Sequence, residues 1–125
     1  MSGLTLDAGA LIAIDRNNRA VIALLERART QGAKITIPAS ALAQAMRKPE
    51  QQVRLSRFVR QPTTDVVALD RVDAIRTGRL LAVTRTSDVV DAHVVVCASR
   101  TNSTVVTSDP KDLRTLDETI RLVEI

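Results

Sequence analysis

Apolar positions along the chain alternate between short β-branched runs and longer stretches with helical spacing. The short runs predict five strands, and the stretches between them predict helices. The predicted strands are Leu4 to Leu6, "KITIP", "TDVVAL", "STVVTSD" and "IRLVEI". Strands that are short and apolar, in alternation with helices, are typical of a parallel sheet covered by helices on both faces. The pattern therefore predicts an α/β fold.

Capping and breaking residues set the expected helix boundaries. Asp70 and Asp88 are suitable N-caps for the helices that follow them. Pro38 is expected in the first turn of the helix "ASALAQAMRK", and Pro49 is expected to end it. A further helix is predicted over "EQQVRLSRFVR".

Composition restricts the kind of partner the chain can have. Its 125 residues, 45% hydrophobic and 26% charged, suit a single folded domain, taken here as residues 1–125. One Phe and no Trp or Tyr leave no platform for stacking single-stranded bases. Since 18 basic residues outnumber 14 acidic ones, a polyanionic partner such as nucleic acid would be bound through charge.

The location of the protein is indicated by its single cysteine and by what precedes the first strand. Cys97 lies in an apolar run and has no cysteine to pair with, which suits a reducing compartment. Neither a signal sequence nor an apolar run long enough to cross a membrane is evident. We therefore expect a cytoplasmic protein without membrane contact.

Three carboxylates fall where a parallel sheet places its ligands. Asp7 follows the first strand, Asp109 follows "TVVTS", and Asp91 lies in the first turn of the intervening helix. Ligands of such sheets bind beyond the carboxyl ends of the strands. Carboxylates this close repel each other unless a cation relieves them, and Mg²⁺ bound by carboxylates can promote phosphodiester hydrolysis. The arrangement favours a nuclease.

The motifs "LTLDAGALIAI", "VVDAHVVVCA" and "VVTSDPKDL", in that order and spacing, resemble the PIN-domain ribonucleases, most closely the VapC-type toxins of bacterial toxin–antitoxin pairs. The resemblance spans essentially the whole chain. It implies a three-layer α/β/α sandwich with a mostly parallel sheet and endonucleolytic cleavage of RNA. It also implies Mg²⁺ as cofactor, with Mn²⁺ able to substitute, a homodimer, and a small cognate antitoxin as partner.

Carried onto this sequence, the resemblance makes Asp7, Asp91 and Asp109 the catalytic and metal-binding residues, with Thr107 and Ser108 orienting Asp109. Gln44 stands where the family usually has Glu. An amide brings no charge, so a second metal site, or proton transfer by this residue, is in doubt.

That departure leaves other functions open. The chain could be a weakened PIN-like module that binds RNA or protein without cutting. A nucleotide-binding or phosphoacceptor module is a further alternative, although no G-x-G-x-x-G or P-loop motif is present.

Structural roles account for several of the remaining polar residues. Asp88 can act purely as a helix cap, and Asp91 as a favourable charge in the first turn of that helix. We interpret Asp112 as a surface residue with a possible supporting role in the site, and His93 as a packing or surface residue. Arg100 is too isolated to interpret.

A basic stretch lies between the second and third predicted strands. Arg47, Arg54 and Arg57 belong to it, and they are candidates for contact with RNA or an acidic partner, although a solvated helix surface explains them as well.

Overall fold

The chain forms a five-stranded sheet with seven α-helices in a computed structural model, which describes residues 3–125. The strands are β1 (Leu4–Leu6), β2 (Ile35–Pro38), β3 (Thr64–Val67), β4 (Thr104–Thr107) and β5 (Leu122–Glu124). The helices are α1 (Ala8–Asp15), α2 (Arg19–Thr30), α3 (Ala39–Ala45), α4 (Val53–Val59), α5 (Arg71–Thr84), α6 (Val89–Thr101) and α7 (Pro110–Leu116). A 3₁₀ turn, Pro49–Gln51, precedes α4.

All neighbouring strands are parallel, and their order is β3-β2-β1-β4-β5. The chain builds the sheet outward from β1 in one direction and then returns to build it in the other. The reversal lies between β1 and β4, where Leu6 pairs with Val106. Parallel α/β sheets bind ligands at such a reversal, just beyond the strand ends.

The helices divide into two sets that cover the sheet. α1 packs on α2, α3 and α4, while α6 packs on α5 and α7, and α3 also contacts α6. Right-handed crossovers place these two sets on opposite faces, because the direction of strand addition changes after β3. The predicted fold class, a three-layer α/β/α sandwich of the PIN-like kind, is confirmed.

The central strands form the core. Leu6, Ile35, Ile37, Val105 and Val106 are fully buried. Their apolar side chains face helices on both sides, as the absence of polar alternation in their sequence predicted.

Three local predictions were wrong. Pro38 ends β2 and precedes α3, because its ψ of 131° is extended. Met46 ends α3 well before Pro49, which instead opens the 3₁₀ turn. β3 is an edge strand with two exposed central residues, so it is not buried on both faces as predicted.

The predicted caps are present. Asp70 accepts a hydrogen bond from the backbone N–H of Asp73 at 2.9 Å, and Asp88 accepts one from that of Asp91 at 2.9 Å. Each cap fixes where a helix begins. Within residues 3–125, no helix combines the length and the apolar character needed to cross a membrane.

Candidate functional site at the carboxyl ends of β1 and β4

Asp7 is a buried carboxylate between β1 and α1. Only 4% of its surface is exposed. It is the N-cap of α1 and accepts a hydrogen bond from the N–H of Ala10 at 2.9 Å. Burial raises the pKa of Asp7, while hydrogen bonds from the Thr107 hydroxyl and the backbone of Ala10 and Gly9 oppose that rise. The Asp7 side chain is therefore held in one position, and ionising it costs free energy.

Asp91 occupies the first turn of α6 and is half-buried. Its pKa is raised to about 6, first by burial and then by the charges of neighbouring carboxylates. Those carboxylates belong to Asp88, Asp7, Asp112 and Asp109. The structure thus brings together the three acidic residues that sequence analysis expected to meet.

Asp109 follows β4 and is exposed at the start of α7. Its backbone N–H donates to the Thr107 hydroxyl at 2.8 Å. Because the same hydroxyl bonds Asp7, Thr107 connects the ends of β1 and β4. Asp112, in the first turn of α7, has its pKa raised by a hydrogen bond with Asp109 and by the charge of that residue. Asp112 is therefore part of the acidic cluster rather than an isolated surface residue.

Gly9 lets Ser108 approach α1. A Cβ on Gly9 would lie 2.2 Å from the Ser108 hydroxyl oxygen and 3.5 Å from a carboxylate oxygen of Asp7. The absence of a side chain at this position allows the segment after β4 to pack beside Asp7.

A cleft of about 270 Å³ opens beside Asp91. Its walls are Thr86, Ser87, Asp88, Asp91, Asp112, Thr115 and Leu116. Asp88, whose predicted capping role is confirmed, therefore also contributes a carboxylate to this surface.

Gln44 is exposed on α3 and lines a different cleft, of about 320 Å³, together with Arg16, Arg47 and Lys48. Arg47 donates to the backbone oxygen of Gln44 at 3.2 Å. Ile12 and Arg16 line both this cleft and a neighbouring one that reaches Gly9 and Ser108. A surface that carries three basic residues and one acidic residue, Asp15, thus runs along α1 towards the acidic cluster.

The other two predicted basic residues lie on α4. Arg54 and Arg57 are both exposed. Their contact with RNA or a partner stays a prediction.

The accumulation of negative charge in the acidic cluster favours a divalent cation. Asp7, Asp91 and Asp109 come from separate segments, and the charges of Asp7 and Asp109 contribute to the raised pKa of Asp91. A divalent ion would relieve the repulsion between these charges, and carboxylate oxygens are ligands that Mg²⁺ prefers. Asp7, Asp91 and Asp109 are the residues that would hold it.

A second group of potential metal ligands is buried elsewhere. Atoms of Asp73, His93 and Cys97 lie within 4.8 Å of one another, so the group could hold a metal ion. Both oxygens of Asp73, however, contact the guanidinium of Arg100. Burial and the charge of Asp73 raise the pKa of Cys97 to about 12, which keeps its thiol protonated. Arg100 therefore supplies the positive charge that a metal would otherwise bring.

Sequence analysis missed this second group. His93 was expected to have a packing or surface role and is fully buried and hydrogen-bonded, whereas Arg100 was left without an interpretation. The helical spacing of His93, Cys97 and Arg100 was the one available signal, since it places all three on one face of α6.

The fold of this chain is similar to that of solved structures. No family model and no curated protein matches the chain. Among solved structures, it is similar to a toxin–antitoxin complex from Klebsiella pneumoniae (TM-score 0.72, 19% identity, 99% of this chain and 100% of that chain). It is also similar to VapBC2 from Rickettsia felis bound to a promoter DNA fragment (0.71, 17%, 97% of each chain). A third match is DNA-bound VapBC from Salmonella typhimurium (0.70, 20%, 99% and 98%).

These matches correct the identification made from the motifs. Placing the chain among the PIN-domain ribonucleases as a VapC-type toxin was wrong, because the matched structures are VapBC and FitAB complexes that do not tie this chain to the toxin of the pair. At these identities the likeness shows the fold alone.

Proposed function

We propose that the chain is a divalent-metal-dependent endoribonuclease that acts in the cytoplasm as the toxin of a type II toxin–antitoxin pair. The observation that carries the proposal is the meeting of Asp7, Asp91 and Asp109 where the strand order reverses. The assignment of these three residues as ligands rests on the charge opposition at Asp91 and on the position of each at a strand or helix end.

Each residue has a distinct task in this proposal. Asp7 is held by the start of α1 and presents a fixed oxygen, while Asp91 and Asp109 close the site from α6 and α7. Thr107 orients the strand ends, and Ser108 packs over Gly9. Bound Mg²⁺, or Mn²⁺ in its place, would activate water and stabilise charge on the scissile phosphate. Asp88 and Asp112 add negative charge around the site.

The proposed partners are an RNA substrate, a small cognate antitoxin and a second copy of the chain. Support for the antitoxin comes from the matched structures, which are themselves toxin–antitoxin complexes. Support for RNA comes from the three basic residues on the surface along α1, and support for a homodimer from exposed apolar residues on α5.

Gln44 supports a second candidate function. The cleft that holds its amide is lined by three basic residues, Arg16, Arg47 and Lys48, and by one acidic residue, Asp15. A module that binds RNA there without cutting it would need no acidic residue at this position.

Replacing one carboxylate tests the proposal. Asp7→Asn keeps the cap and the size of the side chain but removes a charge, so we expect RNA cleavage to fall by about 100-fold or more, because a metal's charge stabilisation is worth several kcal/mol. Cleavage of mixed fluorescent RNAs with Mg²⁺ or Mn²⁺ measures it. Asp65→Asn is the matched control, since Asp65 is exposed on the edge strand β3 and pairs with Lys34.

The outcomes separate the two functions. Equal cleavage by Asp7→Asn and the wild type would refute the carboxylate site. A wild-type protein that binds RNA but leaves it intact with either ion would favour the binding module.

A further inference from the structure

The contact between α5 and α6 is polar where an apolar one is expected. The buried residues of α5 are Asp73 and Thr77. Asp73 faces α6, which contributes His93 and Arg100 to the same contact. Buried polar groups of this kind seldom add stability over apolar ones, and their best-attested benefit is a unique arrangement of the elements they join. A need to hold α6 in one position relative to α5 would explain why the contact is polar.

His93 joins three helices. Its ring is fully buried, and Nδ1 is 2.8 Å from the hydroxyl of Ser40 on α3. Nε2 is 3.1 Å from a carboxylate oxygen of Asp73 on α5. With the Nε2–H donated to Asp73, Nδ1 accepts the Ser40 hydroxyl proton, so a single tautomer satisfies both contacts. The imidazole cannot turn without breaking both.

Arg100 adds a second attachment between α6 and α5. Its guanidinium binds both oxygens of Asp73, one of them at 3.0 Å. His93 and Arg100 are about two helical turns apart on one face of α6. Rotation or sliding of α6 against α5 would therefore disturb two contacts to the same carboxylate.

The position of the Asp91 side chain is set mainly by the position of α6. Asp7, by contrast, has hydrogen bonds of its own that hold its carboxylate. Asp7 is held by hydrogen bonds from Ala10 and Thr107. Among the described residues, nothing donates a hydrogen bond to the carboxylate of Asp91. The cap from Asp88 joins Asp91 only to its own helix. Whatever holds the first turns of α6 thus sets the position of the Asp91 carboxylate relative to Asp7.

We infer that His93 is a positioning residue for the acidic site: held between Ser40 and Asp73, it fixes the first turns of α6 and with them Asp91. This inference rests on the proposed function, in which Asp91 is a metal ligand. It also connects α3, which carries Gln44, to the helix that carries Asp91.

Ser40→Ala is the appropriate test, because removing His93 itself would leave Asp73 short of a buried partner and endanger folding. Ser40 is only partly buried. Ser40→Thr keeps the hydroxyl and serves as the rescue. Ser103→Ala is the matched control, since it also deletes a serine hydroxyl, one that bonds Thr5 and Thr101 at the opposite end of α6 from Asp91.

Two measurements read the positioning directly. Hydrogen exchange of the amides in the first turns of α6 should become faster by about fivefold in Ser40→Ala, the effect of losing one hydrogen bond, with less change in Ser103→Ala. Affinity for Mn²⁺ alone, measured by calorimetry without RNA, should weaken by a similar factor in Ser40→Ala. Both should return towards wild-type values in Ser40→Thr.

The results distinguish failure of this inference from failure of the proposed function. If the wild type binds Mn²⁺ and the two alanine variants behave alike in both measurements, the positioning role is refuted and the nuclease proposal stands. A wild type that binds no Mn²⁺ refutes the proposed metal site, and the positioning role fails with it.

Discussion

The carboxyl group of Asp91 ionises less readily than an ordinary aspartate. Its pKa of about 6 reflects burial first and the charges of four other aspartates second. A group that ionises with difficulty in the folded chain weakens the fold whenever it is ionised. The repulsion between these carboxylates also favours the binding of a cation, because a bound cation relieves the repulsion without protonating any ligand. At this residue, metal binding and stability are therefore linked.

The pH dependence of stability follows from that pKa. The folded chain holds the Asp91 proton up to about pH 6, whereas the unfolded chain releases it near 3.8. Between these values the folded state binds more protons, so rising pH removes stability, and the full cost is present above pH 6. We expect Asp91→Asn to stabilise the metal-free protein at pH 7 by about 1 kcal/mol, a figure reduced for solvent screening of a half-exposed group.

Urea unfolding of both proteins at pH 7 and pH 4 measures this difference. The stabilisation should nearly vanish at pH 4, and saturating Mg²⁺ should stabilise only the wild type at pH 7. Asp65→Asn, an exposed substitution of the same kind, provides the baseline. A difference between wild type and Asp91→Asn that is independent of pH would contradict the raised pKa.

At the scale of elements, what sequence predicted well is local. Asp70 and Asp88 were predicted as caps because a cap bonds a backbone N–H three residues on, within the same short segment. The order of strands and helices likewise follows from local periodicity. Pro38 was placed wrongly because a proline at the last strand position and one at the first helical position have similar φ.

The buried network could not be predicted in the same way. Ser40, Asp73, His93 and Arg100 come from three helices, and only the fold brings them together. An isolated arginine or a single histidine has no local pattern that indicates a partner. The acidic cluster was easier to predict from sequence. Parallel strands place their carboxyl ends at one edge of the sheet, so residues that follow different strands come close together.

α5 exposes an apolar face that the rest of the described chain leaves uncovered. Val72, Ile75 and Val83 are 53%, 48% and 82% exposed. Apolar groups gathered on one element mark an interaction site more often than scattered ones do. This helix is accordingly the element on which the proposed homodimer would form.

The solution mass tests that dimer. We expect the wild type to scatter light as twice the 13.6 kDa chain. The double variant Ile75→Glu and Val83→Glu should run as a monomer, because the introduced charges would have to be desolvated at the interface. Val53→Glu, on α4, is the control, since Val53 is also 50% exposed. A dimer that survives the double variant would place the interface elsewhere.

For the molecule as a whole, acidic and basic residues are concentrated in different places. The acidic cluster lies at the strand ends, whereas the clefts along α1 gather Arg16, Arg47 and Lys48 with only Asp15 as an acidic residue. A polyanion laid along α1 would meet cations first and reach the carboxylates only at the end of its path. With one aromatic residue in 125, such binding would depend on phosphates rather than on stacked bases.

Because binding would depend on phosphates, RNA affinity should fall with salt concentration by an amount that reports the number of phosphate contacts. For single strands, the logarithm of the binding constant falls with the logarithm of salt concentration by about 0.7 for each phosphate neutralised. In the Asp7→Asn background, which leaves the RNA uncut, replacing Arg47 and Lys48 by alanine should reduce the slope by about 1.4. Fluorescence anisotropy across a series of KCl concentrations measures the slope.

The control pair is Arg27→Ala with Lys34→Ala. These substitutions remove the same charges near the amino end of β2, on the other side of the molecule from the acidic cluster. If the two pairs lower the slope equally, RNA is held by net charge alone, and the surface along α1 has no special part in guiding a strand to Asp7.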